Sequence, residues 1–123
     1  MRIAFLLLLL ASATAMADTP AAKGFDPYKG ARMLCKEHVS GKAMHVVWTS
    51  WATKDDVATV AAHYEKATGG KPQKGDQGEL RFSDDKDLRL QVYPAEKNDS
   101  FPKCATKPAA GERTVVLISQ AIR

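Results

Sequence analysis

The chain of 123 residues carries 18 Lys and Arg against 14 Asp and Glu, a formal net charge of +4. That length suits one ordinary domain with a single shallow core. Its cations are interleaved with acids and not gathered into a stripe with stacking aromatics, which excludes the usual pattern of a nucleic-acid binder and leaves a mixed, solvated surface with a mild attraction for anionic polymers.

The first 17 residues have the three-part layout of an export signal: Arg2, a nine-residue apolar run over 3–11, and the small-residue ending Ala15-Met16-Ala17. A membrane span needs roughly 20 apolar residues, so the run is too short to anchor the chain. Cleavage after Ala17 would leave residues 18–123, and loss of Arg2 would lower the charge to +3. No later apolar run is long enough to span, so the mature product is expected to be soluble, with no membrane span, in the periplasm or outside the cell.

Residues 18–29 are polar, carry Pro20 and Pro27, and read as an extended arm; residues 30–123 read as one domain. Two strands, 31–39 and 42–51, flank Ser40-Gly41, which suits a two-residue turn. Thr53 is expected to begin a helix, its hydroxyl accepting from the Asp56 N–H and the Asp56 carboxylate reaching back in a capping box. Asp55 and Asp56 would also sit where the helix dipole favours negative charge. Val57, Val60, Ala61, Tyr64 and Ala67 then recur at helical spacing as one apolar stripe, and Gly69 suits the left-handed residue that ends a helix.

A polar, glycine-rich connector follows over 71–78. Residues 79–83 and 88–93 alternate so that Leu80, Phe82, Leu88, Leu90 and Val92 line one face of a hairpin turning at 84–87. The stretch 94–112 is long and irregular, with Pro94, Pro102 and Pro108. A loop of that length is uncommon unless tethered or functional. Residues 113–119, rich in Val and Ile, read as a last strand. The expected fold is α+β: a single domain with an antiparallel sheet of four to five strands in the order β-β-α-β-β-β, one amphipathic helix packed on one face, and one disulfide.

The segments PYKGARMLC, WATKDDVATVAAHYEKATG and TVVLISQAI resemble small exported bacterial proteins of uncharacterised function, in which a Tyr-x-Gly-Ala start precedes a strand and a helix carrying Val and Tyr-Glu follows. The resemblance covers core-type residues. It implies the α+β fold and no activity.

Cys35 and Cys104 are the only cysteines. An even count in a small exported domain reads as a disulfide. Closing a loop of about 70 residues is worth on the order of 4 kcal/mol by the chain-entropy argument. The rival reading, a nucleophilic Cys35 with His38 three residues on, is opposed by a second cysteine able to pair with it in a disulfide in an oxidising compartment.

The histidines offer one sharper inference. With a two-residue turn at Ser40-Gly41, His38 faces Ala43, and His45 lies diagonal to His38 on the same face, about 7–8 Å away. Two imidazoles so placed can share a Cu or Zn ion. The same register sends Met33, Cys35, Met44, Val46 and Trp48 to the other, core-like face. Trp51, at the strand end, reads as core edge or as a sticky spot for a partner. No Gly-x-Ser-x-Gly, His-Glu-x-x-His or Cys-x-x-Cys occurs, so no catalytic residue and no cofactor is assigned. GGKPQKGDQG lacks the strand before it and the Gly-Lys-Ser/Thr ending of a phosphate cradle, and SDDKD lacks the glycine and glutamate of a calcium loop. Three readings of function follow. The first is an exported binding or interaction module without catalysis, an inhibitor or envelope accessory protein whose partner is a protein or an envelope polymer. The second is a Cu- or Zn-binding protein using His38 and His45. The third is a small hydrolase.

Overall fold

The computed structural model describes residues 24–123 apart from Asp85. The expected export signal, the first part of the arm (18–23) and one residue of the hairpin turn therefore lie outside the described residues. No described helix is long and apolar enough to cross a membrane.

Among the described residues one antiparallel sheet has six strands, β1 (Arg32–Ser40), β2 (His45–Thr53), β3 (Gln73–Lys74), β4 (Leu80–Ser83), β5 (Leu88–Pro94) and β6 (Thr114–Ile122), with one α-helix, α1 (Val57–Thr68), between β2 and β3. The spatial order is β1-β2-β6-β5-β4-β3. The expected count of four to five is corrected to six. The added strand, β3, is two residues long and pairs with the start of β4, Gln73 opposite Arg81 and Lys74 opposite Leu80. So short and polar a strand leaves no periodicity to read.

Each face of the sheet has its own apolar layer. On the first face α1 lays Val60 and Tyr64 against Phe82, Leu88, Leu90, Val92 and Val116, with Leu80 and Ile118 at the margin. The alternation foreseen for the hairpin is seen in its register, Leu80 opposite Val92 and Phe82 opposite Leu90. Phe25 is buried in this core, and the segment that carries it runs along the helix. Gly24 lies against the Ala67 carbonyl near the helix end, the Tyr64 hydroxyl donates to the Asp26 carbonyl (2.7 Å), and the Tyr28 hydroxyl donates to Asp55 (2.5 Å) before the helix start.

On the second face Tyr93, Val115 and Leu117 form one cluster with Phe101, and Leu34, Ala52 and Cys104 form another, with Trp48 packed against both. β6 supplies both layers, Val116 and Ile118 to one and Val115 and Leu117 to the other, which is why its sequence is a continuous apolar run. The stretch expected to be irregular covers this face. A 3-10 turn at Ala95–Ser100 leads to Phe101, whose ring stacks on Tyr93 at 3.9 Å, and then to Cys104, bonded to Cys35. The cover is pinned at its far end by Glu112, which accepts from the Arg32 guanidinium at 2.6 and 3.0 Å and from the Ala109 N–H at 2.7 Å.

Two local expectations are corrected. The helix is capped by Asp56, not Thr53: the Asp56 side chain accepts from the Thr59 N–H (2.9 Å). Thr53 stays in β2, opposite Thr114, and its carbonyl accepts from Arg113. Ladder pairing with the central strand outweighs a cap that Asp56 supplies equally well. At the first hairpin Ser40 pairs with His45, so the turn spans 41–44 and not two residues. The Gly41 N–H donates to the Met44 carbonyl (2.9 Å), and a Cβ at Gly41 would stand 2.7 Å from that oxygen, so the closure requires glycine. Gly69 ends the helix in the left-handed conformation, as foreseen.

Candidate functional site

The β1–β2 register differs from the expected one, His38 facing Val47 instead of Ala43, yet the displacement is an even number of residues. Parity along a strand is therefore kept, and His38 and His45 remain diagonal neighbours on the first face. Their rings meet edge to face with centroids 4.5 Å apart. His38 is exposed and His45 half-buried. No group of three or more His, Cys, Asp or Glu side chains able to hold a metal ion occurs among the described residues. The pair thus offers two imidazole ligands, with any further coordination left to water.

The core-like face expected for β1 and β2 is assembled in part. Cys35 and Trp48 pack on the second face. A β-bulge between Met33 and Cys35 inserts Leu34 and breaks the alternation, so Met33 lies opposite Trp51 and is 47% exposed. Met44 sits in the 41–44 turn, 41% exposed. Neither methionine belongs to the core. Trp51 lies on the first face opposite Val116, half-buried against the helix-side core, and its indole N–H is buried without a hydrogen-bond partner. His63, on the helix flank, touches Tyr28 and Tyr64 edge to face.

The Tyr28 hydroxyl is pushed up to about 12, chiefly by its hydrogen bond to Asp55 and then by burial. Burial likewise raises the Tyr64 and Tyr93 hydroxyls. The Arg32 guanidinium holds the Glu112 carboxyl down to about 2. These are latches that fasten the first segment and the cover to the sheet.

A different surface emerges where the cover stops. The second face is roofed over Tyr93 but open over the earlier part of β5 and over β4 and β3. There the phase opposite to Leu80, Phe82, Leu90 and Val92 points outward. Gln73, Arg81 and Gln91 form one cross-strand row. Ser83 and Arg89 form the next, continued by Ser119 on β6 and Trp48 on β2. These strands line a groove of about 620 Å³ together with Gly70 and Lys71. Arg81 and Arg89 are exposed and make no ion pair with a described residue. Lys71, by contrast, is paired with Glu65 at 3.2 Å. The signal for this groove was present in the sequence as the polar half of the same alternation, but a solvated strand face reads the same way. Its openness depends on how far the cover reaches. Compared with family models, curated proteins and solved structures, the chain has no significant match.

Proposed function

We propose that this protein is a small exported binding module that works through the part of its second sheet face left open by its own cover. One observation carries the reading: the chain builds a disulfide-tethered roof over half of that face and leaves the other half as a formed groove floored by Gln73, Arg81, Arg89 and Gln91. A disulfide closing most of the domain suits an oxidising compartment and supports export. The experiment is photo-crosslinking in the exporting cell, with a photoreactive residue at Gln91 in the groove or at Ala62 on the outer face of the helix. Capture at position 91 and none at 62 is the expected result; capture at 62 alone would remove the groove from the account.

The contact between the His38 and His45 rings favours a second reading, a Cu- or Zn-binding protein. Two imidazoles on adjacent strands form a donor pair of a type suited to either ion. Metal titration of the purified protein tests it, with His38→Ala and His45→Ala each expected to abolish the binding. Nothing in the geometry favours the hydrolase reading.

A further inference from the structure

The groove on the second face has a chemistry of its own. Arg81 and Arg89 stand on paired strands, Arg81 opposite Gln91 and Arg89 opposite Ser83, and are thus diagonal neighbours. Among the described residues the carboxylates nearest to them in sequence are engaged elsewhere: Asp87, two residues before Arg89, is paired with Arg123, and the other two are held in turns. Glu79 accepts from the Gln77 N–H (2.9 Å), and Asp84 accepts from the N–H groups of Lys86 and Leu88 (2.9 and 3.0 Å). None of these carboxylates pairs with Arg81 or Arg89, and among the described residues the two guanidinium groups have no ion-pair partner. Guanidinium forks match planar oxyanions bidentately. Gln73 and Gln91 add amide groups that both donate and accept, which suits hydroxyl groups.

The rest of the lining narrows the ligand. Of the residues that line the groove only Phe82 is aromatic, and it is buried beneath the sheet at 4% exposure; Trp48, farther along the Arg89 row, is packed against both clusters of the second face, so no free ring lines the groove to stack nucleic-acid bases. The large exposed apolar side chains, Met33, Val39, Met44 and Ile122, belong to β1, the 41–44 turn and the end of β6, away from the groove. A membrane-surface site needs apolar side chains beside its cations, and the groove lining offers none that is exposed. An open trough of cations and amides fits a chain that carries both carboxylates and hydroxyls. We infer that the groove binds an acidic polysaccharide, with Arg81 and Arg89 taking its carboxylate groups and Gln73 and Gln91 its hydroxyls. The inference rests on the binding-module reading and names the ligand class for the same surface.

Calorimetric titration of the exported chain with short oligogalacturonates tests it, against the methyl-esterified chain, which keeps the hydroxyls and loses the charge, and against vesicles of phosphatidylglycerol and phosphatidylcholine. The acid chain should bind and the ester should not. Arg81→Gln and Arg89→Gln should each weaken binding by about tenfold, as loss of a charged hydrogen bond implies, and the double variant should abolish it. The slope of log affinity against log salt should fall by about one for each arginine removed. Both side chains are exposed, so the melting temperature should not move. Failure of the acid chain to bind, equal binding of the ester, or undiminished binding by the double variant would overturn the inference. Tighter binding to the vesicles through the same arginines would overturn it in favour of a lipid surface. Crosslinking from Gln91 that survives in the double variant would leave the binding module standing and remove its acidic ligand.

Discussion

Replacing Cys35 and Cys104 together by alanine tests how the second face is held. The bridge joins residues 69 apart in sequence, and the chain-entropy relation gives about 4 kcal/mol for a loop of that length. Cys104 is also buried against Leu34 and Ala52, so trimming the two sulfurs should cost about 1 kcal/mol more in lost contact. The expected total, about 5 kcal/mol, is a large share of the roughly 5–15 kcal/mol typical of a native domain. At about 4–8 °C per kcal/mol for a domain this size, the melting temperature should fall by about 20 °C or more. Urea denaturation followed by tryptophan fluorescence is the assay, since Trp48 packs against both clusters of the second face and Trp51 against the helix-side core. The m-value should rise, because the unlinked chain exposes more surface on unfolding. Amide exchange should quicken most at Tyr93 and Leu117 under the cover, and least at Leu90. A loss below about 1 kcal/mol, with m unchanged, would refute the view that the bridge tethers the cover.

Three further outcomes follow from the geometry. Val60→Ala, at a fully buried position one turn before Tyr64 and against the sheet, should cost about 2 kcal/mol through lost burial and the cavity left behind, read from the urea midpoint; a neutral result would mean that the helix is not seated as described. Gly24→Ala should cost about 1–3 kcal/mol, because φ there is +87° and the new Cβ would stand 2.5 Å from the Ala67 carbonyl; unchanged stability would show that the segment before Phe25 is not held against the helix. Glu112 has its carboxyl lowered from 4.5 to about 2 by Arg32, so its contribution is complete above pH 4.5 and lost as the pH falls toward 2. The stability gap between the parent and Glu112→Gln should therefore be flat from neutral pH to about 5 and close below it; a gap constant down to pH 2 would contradict the ion pair.

Legibility in the sequence followed the periodic signals. The helix stripe through Val60 and Tyr64, the alternation from Leu80 to Val92 and the last strand were readable because burial on one face imposes a period on residue type. The Cys35–Cys104 bridge was readable from the cysteine count and the expectation of export. The neighbourhood of His38 and His45 was also readable, since parity along two paired strands survives an even change of register. What escaped had no period to betray it. The bulge at Leu34 is one inserted residue in a mixed strand. β3 is two polar residues. The cover over the second face is built from isolated apolar residues, Phe101 and Cys104, set among prolines and charges, and the burial of Tyr93 depends on it. Arg81, Arg89 and Gln91 alternate as plainly as the leucines between them, but alternation alone does not separate an idle solvated face from an open groove.

The working surface proposed for this protein is the open part of the second sheet face. Amide chemical-shift mapping of the isotopically labelled chain, titrated with acidic oligosaccharides, is the decisive measurement. Shifts confined to Gln73, Arg81, Ser83, Arg89 and Gln91 and their strand neighbours are expected. Shifts centred on the His38–His45 turn or on the outer face of α1, with those five residues unmoved, would contradict it.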